Sequence, residues 1–103
     1  MSQYYTPFRI DEASTATNTV KFQNVGVTAS NAITTSTAIT ARRICITTGV
    51  VPAFVSFGAT PVGGVNVGFQ VPANNAMIFN FKSGDKVAVS ASAACTVSIL
   101  DLD

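Results

Sequence analysis

The stretch that decides the fold is residues 77–100, MIFNFKSGDKVAVSASAACTVSIL. Apolar side chains occupy every second position in three short runs, which are separated by turn residues. These apolar positions are Met77, Phe79 and Phe81, then Val87 and Val89, then Cys95, Val97 and Ile99. Successive side chains of a strand point to opposite faces, so a period of two predicts strands with one face turned toward a core. The turns between them are predicted at Ser83-Gly84-Asp85 and at residues 91–94.

The same period of two appears nearer the N-terminus. Val20 and Phe22 alternate with Lys21 and Gln23, which predicts a half-buried strand with the two apolar side chains inward. In the run that ends at Gly49, Ile44 and Ile46 lie on one face of a predicted strand. Beyond Pro52, a further set of apolar residues lies on one face of the next predicted strand. The members of that set are Ala53, Val55 and Phe57. The threonine-rich run at residues 33–40 favours extended backbone, because β-branched side chains disfavour helix.

Turn-forming residues separate these runs at short intervals. Turns are predicted at residues 24–31, which include Gly26 and Ser30, and at residues 72–75, and a loop is predicted at residues 59–68. Short strands spaced by glycine and proline turns are typical of a sandwich or barrel. The prediction is an all-β, antiparallel β-sandwich, jelly-roll-like or immunoglobulin-like, over residues 18–103. No window has the apolar periodicity and caps of a helix longer than one turn.

Residues 1–17 differ from this domain and are predicted to form an extended N-terminal arm. The segment is rich in aromatic residues and shows no periodicity. Aromatic side chains on such an arm favour docking on a neighbouring molecule, and packing of the arm on its own domain is the alternative. The predicted interface residues are Tyr4, Tyr5, Pro7, Phe8 and Arg9.

Composition favours a protein that is assembled with partners. Hydrophobic residues make up 48% of the 103 residues and charged residues only 11%, where about 25% charged is usual for soluble domains. A surface poor in charge is weakly protected against association. The formal net charge of +1 gives no basic face for nucleic acid. No apolar run approaches a membrane span and the N-terminus lacks a secretory signal, so neither a membrane nor export is expected.

The residues of catalysis and metal binding are scarce. The chain has no histidine, which removes the commonest general base and most zinc sites. The carboxylates are Asp11, Glu12, Asp85, Asp101 and Asp103, and their spacing suggests no catalytic pair. We therefore expect no enzymatic activity, no catalytic residues, no cofactor and no metal, a calcium site at the C-terminal aspartates being the weaker alternative. Cys45 and Cys95 are expected to be buried thiols, with a disulfide between neighbouring strands as the alternative.

The chain also resembles the small β-sandwich structural proteins of tailed bacteriophages over about residues 17–100. The resemblance lies in the order of short motifs, with one departure at Ala93-Ala94, where glycine is usual. The motifs are Ala16-Thr17-Asn18-Thr19-Val20, Arg43-Ile44-Cys45-Ile46-Thr47-Thr48-Gly49, Pro52-Ala53-Phe54-Val55-Ser56-Phe57-Gly58, Val71-Pro72-Ala73, Phe79-Asn80-Phe81, Lys86-Val87-Ala88-Val89 and Cys95-Thr96-Val97-Ser98-Ile99.

The resemblance implies a virion structural protein. Its first expectation is a capsid decoration (cement) protein that binds and stabilises the outer surface of a phage head. The implied partners are the major capsid protein and the chain itself, as a homotrimer. The implied location is the capsid surface of the virion, and the host cytoplasm during assembly. A neck, tail or fibre-associated virion component is the main alternative, and a carbohydrate-binding module is a weaker one.

Overall fold

The chain folds into eight strands that form two antiparallel sheets. The computed structural model describes residues 21–102, so the predicted arm at residues 1–17 lies outside the described residues. The strands are β1 Phe22–Val27, β2 Ile33–Thr35, β3 Arg43–Thr47, β4 Ala53–Gly58, β5 Phe69–Val71, β6 Ala76–Asn80, β7 Lys86–Ser90 and β8 Cys95–Asp101. Over this part of the chain there is no helix, as the sequence predicts.

The strand order decides between the two predicted sandwich types. One sheet, called sheet A, has the order β1-β8-β3-β6, and the other, called sheet B, has the order β2-β7-β4-β5. Every strand pairing is antiparallel. Eight antiparallel strands distributed over two sheets in this order form a jelly roll, which contains two Greek keys. The β-sandwich prediction is thus confirmed, and the jelly-roll version of it is the one observed.

The core lies between the inner faces of the two sheets. Sheet A contributes alternate residues of β3 and β8, and sheet B contributes alternate residues of β4 and β7. The fully buried members of the core include Ile44, Ile46, Val97 and Ile99 from sheet A and Ala53, Val55, Val71, Val87 and Val89 from sheet B. The alternation that the sequence shows in these four strands is therefore the alternation of buried and outward side chains.

The buried polar residues Ser36, Thr48 and Ser90 have hydrogen-bond partners, whereas the buried Ser56 hydroxyl has none. The Ser90 hydroxyl donates to the Ala32 carbonyl at 2.9 Å, and the Val87 N–H donates to the Ser36 hydroxyl at 2.9 Å. The Thr48 hydroxyl donates to the Pro72 carbonyl. A buried polar group without a partner costs about 1–3 kcal/mol, so these bonds allow serine and threonine to replace apolar residues at the margins of the core.

Two expectations for the first third of the chain are wrong. The turn predicted at residues 24–31 begins later, because β1 continues to Val27. The phase of β1 is also opposite to the prediction: Phe22 points outward and is 60% exposed, whereas Val25 and Val27 are buried. Val25 and Val27 are both buried on the inner face of the sheet. The even-numbered residues of β1, Phe22 among them, therefore point to the outer face. The threonine-rich run contributes only the short strand β2.

The outer face of sheet B is partly covered by the chain itself. Ala88 and Ser90 belong to the outward phase of β7, yet both are fully buried. The loop that joins β4 to β5 lies over this face, and a Cβ on its Gly63 would sit 2.8 Å from Ile33 and 3.1 Å from Ala88. The loop predicted at residues 59–68 is thus present, and it leads into β5, a strand that the sequence analysis did not identify.

Candidate binding surface

Sheet A differs from sheet B because no segment of residues 21–102 packs over its outer face. The buried residues of each strand show which of its side chains point outward. The register between the strands then aligns one outward residue from each strand in a line across the sheet. Phe22 pairs with Leu100, Leu100 with Cys45, and Cys45 with Ile78. We call these four side chains the apolar row. Since neighbouring strands lie about 4.8 Å apart, the row spans roughly 14 Å across the sheet.

The two ends of the apolar row are the most exposed. Phe22 on β1 is 60% exposed and Ile78 on β6 is 63% exposed. Cys45 and Leu100 on the central strands are partly covered by these neighbours. Isolated apolar residues are normal at a protein surface, whereas a contiguous line of them on one open face is typical of an interaction site.

Polar residues flank the apolar row along the strand direction. On one side lie Asn24, Ser98 and Thr47, and the Ser98 hydroxyl donates to the Asn24 Oδ1 at 2.9 Å. On the other side Arg43 pairs with Asn80. Among the outward strand positions of sheet A, Arg43 is the one charged residue. The face therefore combines an apolar centre with a nearly uncharged polar margin.

A second apolar feature lies at the open side of the sandwich between the edge strands β5 and β6. Phe57 is at its centre, with ring centroids 5.2 Å from Phe79, 5.4 Å from Phe81 and 5.9 Å from Phe69. Phe81 is buried, whereas Phe69 is 55% exposed. These phenylalanines close the sandwich between the two sheet edges and extend its apolar interior to the surface beside Ile78.

A shallow groove of about 250 Å³ lies at the opposite edge of sheet A. It runs between the start of β1 and residues 37–40, and Lys21, Gln23 and Asp101 contribute polar atoms to it. The Gln23 Oε1 accepts from the Thr37 N–H at 3.2 Å, so the groove is partly bridged by its own side chains. It holds no nucleophile next to a base, and its lining does not indicate a reaction.

The two cysteines are not fully buried and are too far apart to form a disulfide. Both are free and partly exposed. Cys45 pairs with Leu100, and Cys95 lies five positions earlier on β8, about 17 Å along the strand. Their side chains also point to opposite faces of sheet A. Burial raises the pKa of the Cys95 thiol, which keeps it protonated at neutral pH. The expectation of two buried thiols is therefore wrong, and the register excludes the disulfide alternative.

Residues 21–102 contain no group of three or more histidine, cysteine, aspartate or glutamate side chains that could hold a metal ion. Asp85 lies in the turn before β7, and Asp101 ends β8, while Asp103 lies outside the described residues. The predicted interface residues Tyr4, Tyr5, Pro7, Phe8 and Arg9 also lie outside them. In the same part of the chain, no helix is long and apolar enough to cross a membrane.

No protein family model, curated protein or solved structure significantly matches the chain. The apolar row was not predicted from the sequence, where Cys45 was expected to be a buried thiol. The sequence feature that could have indicated the row is an apolar residue at an outward-facing position of several strands, namely Cys45, Ile78 and Leu100.

Proposed function

We propose that this chain is a virion structural protein that decorates and stabilises the outer surface of a phage head. The observation that carries the proposal is the apolar row on the open, nearly uncharged outer face of sheet A. The resemblance of the sequence to small structural proteins of tailed phages supports the same role. The jelly roll alone does not choose a function, since it occurs in viral capsid domains and in lectins alike.

The outer face of sheet A suits a lasting contact with a shell. Interfaces of permanent assemblies are large and apolar, and charged residues are depleted at their centres. A sheet face with Thr47 and Ser98 beside the apolar row can lie against another surface without burying an unpaired charge. The outer face of sheet B is less open, because the β4–β5 loop packs against its Ile33 and Ala88.

The proposal assigns two partners, the major capsid protein and further copies of this chain. The resemblance implies a homotrimer on the capsid surface. The N-terminal residues Tyr4, Tyr5, Pro7, Phe8 and Arg9 contact the shell or a neighbouring subunit in this account. The described domain begins at β1, whose first residue, Phe22, stands at one end of the apolar row.

Deletion of residues 2–12 is expected to abolish binding to empty phage heads and to leave the domain folded. The deletion removes the aromatic segment and no residue of the eight strands. Binding is measured by sedimenting the protein with empty heads built from the major capsid protein of the same phage. Circular dichroism of the unbound protein reports whether the domain is folded.

The matched control replaces residues 2–12 by a glycine-serine segment of equal length, which keeps the chain length and removes the side chains. Loss of binding in both variants supports the assignment of the N-terminal residues. Undiminished binding of the folded deletion variant contradicts it and leaves the face of sheet A as the contact.

A further inference from the structure

Within residues 21–102, β6 is an edge strand of sheet A, and one side of it has no partner strand. The Phe81 N–H donates to the Arg42 carbonyl at 2.7 Å, and the Thr48 N–H donates to the Asn75 carbonyl at 2.9 Å. In an antiparallel ladder, hydrogen-bonded pairs recur at every second residue. The odd-numbered residues of β6 therefore bond to β3. The N–H and carbonyl groups of the even-numbered residues, Ile78 and Asn80 among them, point away from the sheet.

This edge is also neutral and apolar. Strand β6, AMIFN, contains no charged residue and no proline, whereas natural edge strands are usually protected by lysine, proline, bulges or a covering segment. Ile78 is 63% exposed and Phe69, on the same side of the sandwich, is 55% exposed. Within residues 21–102, the hydrogen bond that uses an outward group of β6 runs from the Ala76 N–H to the Asn75 Oδ1, at 2.9 Å.

The other three sheet edges are less available. Strands β2 and β5 contain three residues each, which is short for pairing with another chain. At the edge of β1, the Gly26 carbonyl already accepts from the Thr34 hydroxyl at 2.7 Å, and the Gln23 side chain bonds to Thr37. Strand β6 is therefore the edge on which backbone groups and exposed apolar side chains coincide.

We infer that β6 pairs with β6 of a second copy of this chain, antiparallel and about a two-fold axis at Ile78. A two-fold contact places the same surface on both partners, so it requires a strand that tolerates meeting itself. Like charges directly opposite each other destabilise a strand pair. Strand β6 carries no charged residue, and its outward N–H and carbonyl groups supply both hydrogen-bond donors and acceptors.

The register of this pairing follows from its symmetry. Each Ile78 lies opposite its symmetry mate, and its N–H donates to the other Ile78 carbonyl. Each Asn80 N–H donates to the Ala76 carbonyl of the other copy. The Ala76 N–H, which already donates to the Asn75 Oδ1, is not needed for this pairing. The two copies of sheet A then form one continuous sheet, and the two apolar rows become one line, because Ile78 ends the row in each copy.

This contact is independent of the proposed virion role and differs from the implied trimer. A two-fold contact between identical strands joins two copies and cannot close a three-membered ring. The β6 contact would instead join one trimer to a neighbouring trimer. A single strand pair buries much less than the roughly 800 Å² per partner of a stable interface, so we expect a dissociation constant on the order of 100 μM in free solution.

The test is a disulfide cross-link in the full chain carrying Cys45→Ser and Cys95→Ala. In a hydrogen-bonded antiparallel pair the Cα atoms are about 5.5 Å apart, which a disulfide can bridge. Ile78→Cys is expected to give at least ~10-fold more disulfide-linked dimer than Phe22→Cys under mild oxidation. Phe22 is the matched control, since it is equally exposed and occupies the other end of the same row.

A second pair of variants separates pairing from simple collision of exposed thiols. Ile78→Pro removes the outward N–H, and proline is tolerated where an edge N–H faces solvent. We expect Ile78→Pro to lower self-association at least ~10-fold by sedimentation equilibrium and Ile78→Val to leave it unchanged. Equal cross-linking of Ile78→Cys and Phe22→Cys, or no self-association of the unmodified chain up to about 1 mM, would overturn the inference.

Discussion

Replacement of Cys45 by lysine is expected to weaken binding to phage heads at least ~100-fold. Cys45 lies at the centre of the apolar row, between Leu100 and Ile78, so a contact through this face would cover it. Burying a charge that has no partner costs roughly 3–5 kcal/mol, and ~2.7 kcal/mol already corresponds to 100-fold in affinity. The measurement is a titration of empty heads with the labelled variant.

The matched control is Thr47→Lys, which adds the same charge two residues along the same strand. Thr47 shares the outward face of sheet A with Cys45 but lies in the polar line beside the apolar row. A loss of less than ~5-fold is expected there, as is usual at the rim of an interface. Equal losses in the two variants, or unchanged binding of a folded Cys45→Lys protein, would show that the apolar row is not the contact.

Replacement of Gly68 by alanine is expected to destabilise the domain by at least ~3 kcal/mol, because two independent costs add. Gly68 has φ of +82°, in the region that favours glycine, and an added Cβ would collide with the backbone carbonyl of Val55. Backbone cannot move aside as a flexible side chain can. The expected fall in the melting temperature is more than ~10 °C, measured by thermal unfolding followed by circular dichroism.

The control for this substitution is Gly26→Ala. Gly26 lies within β1, and a Cβ there would meet no atom within 4 Å. Alanine is entropically favoured over glycine in a strand, so the expected change is a gain of up to ~1 kcal/mol. A Gly68→Ala protein as stable as Gly26→Ala would contradict the observed approach of the β4–β5 loop to β4.

The sequence predicts the strands whose inner faces form the core, because alternation is a local property. The valines of β7 and the isoleucines of β3 mark one buried face directly, and both strands occur where the pattern places them. The phase of β1 was not predictable in the same way. Phe22 and Val25 are both apolar and stand on opposite faces. The burial of Val25 together with Val27 settles the phase, and the register with β8 agrees with it, since Val25 pairs with the buried Val97.

The apolar row could not be predicted, because it depends on register between strands that are distant in sequence. Cys45, Ile78 and Leu100 each break the polar alternation of their own strand, and this is visible locally. Their alignment results from pairings over 33 and 55 residues, as the numbers of Cys45↔Ile78 and Cys45↔Leu100 give by subtraction. Nothing in a single strand specifies such a partner.

The covered face of sheet B was hidden from the sequence for a similar reason. Ala88 and Ser90 fit an exposed face by residue type, since both are small and one is polar. Ala88 is buried because the β4–β5 loop packs over it, where the small size of Gly63 allows the approach, and the buried Ser90 hydroxyl donates to the Ala32 carbonyl. Small residues on an outer face are thus compatible with solvent or with a covering segment, and tertiary structure decides between them.

The measurement that tests the decoration proposal most directly is the number of copies bound per empty head at saturation. It is obtained from the mass of heads with and without the protein by multi-angle light scattering. Decoration of the shell predicts hundreds of copies per head, arranged with the symmetry of the capsid. A handful of copies would contradict decoration and indicate a neck, tail or fibre component, and no binding at all would contradict the virion surface as the site of action.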